Sequence, residues 1–92
     1  MSIWRQALEL LSDGTVTDVS RVADETGTER LVRLDFLNGD HMIAEEEDFE
    51  GEPAGFTYTL YDSEDQYLTT DGGPDVITFS DEVRRVVESQ RA

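Results

Sequence analysis

His41 is the one imidazole in a chain of 92 residues, and a nucleophilic serine would need it as its base. No Gly-x-Ser-x-Gly elbow surrounds any serine. Cysteine is absent, which removes thiol nucleophiles, disulfides and cysteine-based metal sites together. The 22 Asp and Glu residues could supply the carboxylate pair of a glycoside hydrolase, but among so many acids two fall close by chance. Asp62-x-Glu64-x-Gln66 has the alternating oxygen ligands of a calcium loop. Tyr67 stands where such a loop needs glycine, and no glutamate closes it, so the segment reads as a polar turn. Gly72-Gly73-Pro74 is not followed by Gly-Lys-Ser/Thr and reads as a tight connection. No enzyme, cofactor or metal site is expected.

The elements that would carry these residues centre on Thr28–Glu45. Val32, Leu34 and Phe36 alternate with Arg33 and Asp35, the period of a half-buried strand. Asn38-Gly39 then suits a two-residue type I′ turn, and His41–Ala44 returns. That turn would set His41 opposite Phe36 on the apolar face, as a partly buried histidine rather than a catalytic base.

Ser2–Leu11 reads as a helix capped by Ser2, with Trp4, Ala7, Leu8 and Leu11 as its stripe and Ile3 and Leu10 widening it. An Arg5–Glu9 pair and Gly14 past the end support it. Thr15–Glu25 fits either period, and its run of β-branched residues favours a strand. Glu45–Gly55 is acid-rich, with glycines and a proline, and reads as a loop. Phe56, Tyr58 and Leu60 alternate in a second strand, which a four-residue loop, Asp62–Asp65, joins to a strand over Gln66–Thr70. Asp71–Asp75 reads as a turn and Val76–Phe79 as a short strand. Ser80 would cap a last helix with Val83, Val86 and Val87 inward and Asp81 paired to Arg85. The expected fold is one α+β domain, 1–92: helix, antiparallel meander of four to six strands, helix, with both helices on one face of the sheet.

The charge balance bounds the setting. Against the acids stand 7 basic residues, giving a net charge of −15, and all of them are arginine. Such a chain repels itself at ordinary ionic strength. In molar salt the Debye length falls to about 3 Å, and the carboxylates then help to hold hydration. The acidic, lysine-free balance resembles that of extreme halophiles that accumulate salt internally; a DNA mimic is the rival reading. If the charge reports habitat, it does not veto nucleic-acid contact. No apolar run approaches the ~18 residues of a membrane span, and the N-terminus lacks a signal-peptide layout. A cytoplasmic protein is expected.

Two functional readings follow. The first is a non-enzymatic interaction module, a homodimer that also meets a protein partner. Trp4, Tyr61, Leu68 and Arg33 are its interaction candidates, because aromatic residues and arginine are enriched where proteins meet and a broad apolar helix gains burial by pairing with itself. Arg21, Arg30 and Arg33 are expected to cluster on the outer face of the first strands, and Arg84, Arg85 and Arg91 to ride the last helix. The second reading starts from ALELLSDG-TVTDVSRVADETG-TERL. This is similar in rhythm to prokaryotic winged-helix regulators, where a short leucine-rich helix and a turn precede a capped second helix. The resemblance implies a recognition helix over 28–37, with Arg30 and Arg33 as DNA contacts.

Overall fold

A computed structural model of the chain describes residues 2–48 and 54–91, with only the backbone of Arg91. Helix α1 (Ile3–Leu10) runs into a 3-10 turn (Leu11–Asp13). Five strands follow: β1 (Val16–Val22), β2 (Leu31–Phe36), β3 (His41–Glu47), β4 (Gly55–Tyr61) and β5 (Tyr67–Gly73). A second 3-10 turn (Val76–Thr78) leads into α2 (Phe79–Arg91). The strands form one sheet in the order β1-β2-β3-β4-β5, each antiparallel to the next. The expected α+β meander is therefore present, with both helices packed on one face. No described helix is long and apolar enough to cross a membrane.

Helix α1 starts as its sequence requires. Ser2 Oγ accepts from the Arg5 amide, and Gly14, at φ 79°, ends the following turn in the left-handed region. Its roll differs from the expected stripe. Ile3, Ala7 and Leu10 are buried, whereas Leu8 and Leu11 are exposed and Trp4 is half-buried. The apolar positions cover too wide an arc for one contact, and Gln6 selects among them. Its amide donates to the buried Val76 carbonyl and accepts from the Ser80 amide. Leaving such a carbonyl unpaired would cost about 1–3 kcal/mol, so Gln6 turns toward α2 and the Trp4–Leu8–Leu11 flank turns away.

Residues 16–22 and 31–36 are both strands, so the segment expected as a recognition helix under the winged-helix resemblance is β2. Period-2 burial decides it: Val32, Leu34 and Phe36 all lie in the core, and a helix would spread them around its circumference.

The β2–β3 turn corrects the sequence reading. Only Gly39 takes a positive φ (95°), while Asn38 does not. Gly39 N donates to Phe36 O, and Phe36 N to Asp40 O. This is a three-residue loop, a type I turn followed by a left-handed glycine. It places one residue at positive φ instead of two, and Asn38 Oδ1 caps the Asp40 amide. The register moves by one residue, so His41 faces Asp35, not Phe36, and lies on the outer face of the sheet. Because side chains alternate, one residue of slip changes the face.

The β4–β5 turn repeats the device with Asp65 at φ 62°. Its loop, Ser63–Asp65, is one residue shorter than expected, where the β2–β3 loop is one longer, since Asp62 N donates to Gln66 O. Asp62 Oδ1 accepts from the amides of Glu64 and Gln66, so the carboxylate serves the backbone, as a polar turn should.

Three further boundaries differ. Strand β3 runs to Glu47 and β4 starts at Gly55; positions 49–53 of the acid-rich loop lie outside the described residues. Strand β5 continues through Asp71, Gly72 and Gly73 instead of turning there. A Cβ on Gly72 would run into the Phe56 carbonyl oxygen, and one on Gly73 would lie 2.8 Å from the Phe56 ring. The glycines let β5 close on β4. Val76–Thr78 is a 3-10 turn capped by Asp75, which accepts from Ile77 N. Helix α2 therefore begins at Phe79, and Ser80 is not its cap. The Arg5–Glu9 and Asp81–Arg85 pairs do not form; Arg84 reaches Asp13 at 3.1 Å instead.

The core lies between sheet and helices. Phe56, Tyr58 and Leu60 of β4 meet Phe79, Val83 and Val87 of α2, as the alternation and the valine stripe predict, with the Phe56 and Phe79 rings edge to face.

Candidate interaction surfaces

The four interaction candidates fall on three different surfaces. Arg33 and Tyr61 share the outer face of the sheet. There Arg33 lies between Ser20 and Ile43 in register, and the next row runs Asp35, His41, Tyr61 and Tyr67. Arg33 is bound by Asp35 at 3.1 Å, and the hydrogen bond with that carboxylate raises its already high pKa. His41 is only 8% exposed, because Tyr61 stacks on its ring at 4.9 Å. Its Nδ1 lies 3.6 Å from Asp65. No serine hydroxyl bonds to it among the described residues. This face is an aromatic and ionic seam: His41 stacks on Tyr61, and Asp35 is paired with Arg33.

The DNA-contact candidates do not form a basic patch. Arg30 sits in the β1–β2 loop, 3.2 Å from Glu45 and 3.9 Å from Asp24. Arg21 lies on the helix side, 4.7 Å above the Trp4 ring. The expected cluster of Arg21, Arg30 and Arg33 is dispersed because Arg21 and Arg33 alternate to opposite faces and Arg30 precedes the strand.

Trp4 belongs to the flank of α1 that overhangs β1. At 100° per residue, the flank opposite Gln6 carries Trp4, Leu8 and Leu11; each of the two leucines is 39% exposed. Below it, a cleft of about 170 Å³ is lined by Trp4, Arg21, Arg30 and Glu46. Glu46 Oε1 accepts from Ile3 N there, so the α1 N-terminus is already met by a carboxylate, where the helix dipole favours one.

Leu68 lies at the other edge. Helices pack 8–10 Å apart, about two strand spacings, so two helices cover four strands and the fifth extends beyond them. Strand β5 is exposed over Tyr67–Asp71. Between it and α2 runs an open groove of about 480 Å³. Leu60, Leu68 and Val86 form its apolar floor, and Asp71, Glu82 and Arg85 its polar wall. The Tyr58 hydroxyl donates to Glu82 Oε1 at 3.2 Å. Burial raises the Tyr58 pKa well above its ordinary 10, and the charges of Glu82 and Asp71 raise it further. Leu68 is the extra residue of a bulge, since Leu60 pairs Thr69 and Tyr61 pairs Tyr67.

Sequence reasoning singled out Leu68 but not the groove. Leu60 and Val86 read as core by their spacing, and nothing in their local pattern tells how far α2 reaches. No group of three or more metal-ligating side chains converges among the described residues. Compared with family models, with curated proteins and with solved structures, the chain matches none, so its surfaces carry the functional argument.

Proposed function

We propose that the chain is a small, acidic, salt-adapted interaction module of the cytoplasm, non-enzymatic, that pairs with a second copy through the outer flank of α1. The observation that carries this reading is the Trp4–Leu8–Leu11 flank, an uncharged stripe on a surface of net charge −15. Two antiparallel copies of α1 would set Trp4 against Leu11 of the second copy and Leu8 against its own equivalent, the self-complementarity that a two-fold axis requires. The Trp4 ring is braced from beneath by Arg21. Molar salt favours such pairing by screening the repulsion between the acidic copies and by strengthening apolar burial when the salt is excluded from the surface. The non-enzymatic part is supported by His41, buried and enclosed between Tyr61 and Asp65.

The test is light scattering coupled to gel filtration at micromolar protein in about 2–3 M KCl, where acidic repulsion is screened. A dimer is expected for the natural chain and a monomer with unchanged circular dichroism for Leu8→Glu. A natural chain that runs as a monomer would end the self-association reading.

A further inference from the structure

We propose that β5 and the groove beside α2 form a docking site for an extended segment of another protein, one that alternates apolar and arginine or lysine residues and adds to the sheet as a sixth strand. This site lies at the edge of the sheet opposite the α1 flank and is independent of self-association.

Three observations support it. The first is the backbone. Among the described residues strand β5 pairs only with β4, so its other edge presents amide and carbonyl groups along Tyr67–Thr70, where no residue is charged; the Gly72 amide beyond them donates to Asp71 Oδ1. Proteins ordinarily blunt such edges with charge, proline or a cover. At β1 the blunting is present: a bulge between Val16 and Asp18, and Arg21 folded onto Trp4. At β5 the bulge exposes Leu68 instead, at 46%, beside Tyr67 at 63%.

The second is shape. An added strand sends alternate side chains to each face. One set would enter the groove over Leu60, Leu68 and Val86; the other would lie beside Tyr61 and Tyr67 on the outer face.

The third is charge. Asp71 and Glu82 flank the Tyr58 hydroxyl, and neither has an arginine within ion-pair distance among the described residues; Arg85 lines the same groove without reaching them. A long basic side chain would lay its methylenes on Leu68 and Val86 and bring its cationic head to the two carboxylates, as such side chains do on mixed surfaces. A pair enclosed in this way is screened by salt less than an exposed one.

The experiment uses the full chain and a fluorescein-labelled peptide alternating valine and arginine, with a valine–glutamate peptide as control. Anisotropy is read at the lowest KCl concentration that keeps the circular dichroism native. The arginine peptide is expected to bind at least about tenfold tighter than the glutamate peptide. Glu82→Gln combined with Asp71→Asn should erase that preference. Leu68→Ser should weaken binding of either peptide. Amide exchange should slow along Tyr67–Gly73 when the peptide is bound, while Leu8→Glu should bind as the natural chain does. Equal affinity for the two peptides, or protection confined to residues outside β5, overturns the proposal. So does protection of β5 that rises with protein concentration alone, which would make a second copy the occupant.

Discussion

The two edges of the sheet contrast in how their strands are finished. At the β1 edge, α1 overhangs the strand, Arg21 lies across Trp4, and the strand is bulged next to Asp18. At the β5 edge the strand runs beyond the helices, and uncharged residues occupy Tyr67–Thr70. The same meander produces both, because a two-helix layer is narrower than five twisted strands. The lesson is that the position of the cover, more than strand composition, decides which edge stays open: Thr and Val at β1 are as fit for pairing as Tyr, Leu and Thr at β5.

The contrast is sharpened most by truncating one leucine on each side. Leu10, the last residue of α1, is fully buried, and Leu10→Ala is expected to cost about 2–5 kcal/mol. Leu68→Ala, at the open edge, should cost less than about 1 kcal/mol. Urea unfolding at fixed high KCl compares them, and similar losses would mean that the β5 side is packed more tightly than described.

A smaller effect is expected within β5. Gly72→Ala would press a methyl group against the Phe56 carbonyl oxygen, an overpacking of about 1–3 kcal/mol. Hydrogen exchange should localise the loosening to the β4–β5 pair and leave β1–β2 protected. Uniform loosening would instead tie the two edges into one cooperative unit.

The smallest effects are those of pH, and the two sides respond in opposite ranges. Tyr58, under the groove, has a raised pKa. Its contribution is complete below pH 10, the value of the unfolded phenol, and is lost as pH rises through the folded value; Tyr58→Phe should flatten that alkaline decline. Asp24, in the β1–β2 loop, has a lowered pKa. The Thr26 hydroxyl bond is the main cause, and the amides of Thr26 and Thr28 and the charge of Arg30 add to it. Its contribution is present above about pH 3.8, the ordinary value, and fades as pH falls through the folded value; Asp24→Asn should remove the acidic part alone. Thermal melts across both ranges read the two slopes.

Much of this fold was legible because its signals are local. Val32, Leu34 and Phe36, and again Phe56, Tyr58 and Leu60, carry the strand period in their own spacing. Ser2 and Gly14 mark the limits of the first helical segment by hydrogen bonding and backbone freedom. The misses arise where a local pattern has two solutions of similar energy. Asn38-Gly39 fits both a two-residue and a three-residue loop, and Asp71-Gly72-Gly73 suits a turn as well as a strand that must approach Phe56 closely. The candidate surfaces were legible only in part. Helix spacing sets Leu8 and Leu11 beside Trp4, but only packing shows that this flank is the exposed one, and Val86 and Glu82 are brought beside Leu68 by packing alone.

The sequence by itself determined the order and kind of the main elements, the acidic and lysine-free surface, and the residues able to fill a core, since these follow from periodicity, capping and composition. The tertiary structure decided which flank of α1 is buried, which face His41 occupies, and that β5 outruns its cover. Each of these depends on a long-range match: Gln6 with Val76 and Ser80, the hairpin register of β3 against β2, and the width of a helix layer against that of a sheet. A chain read one neighbourhood at a time does not contain those distances.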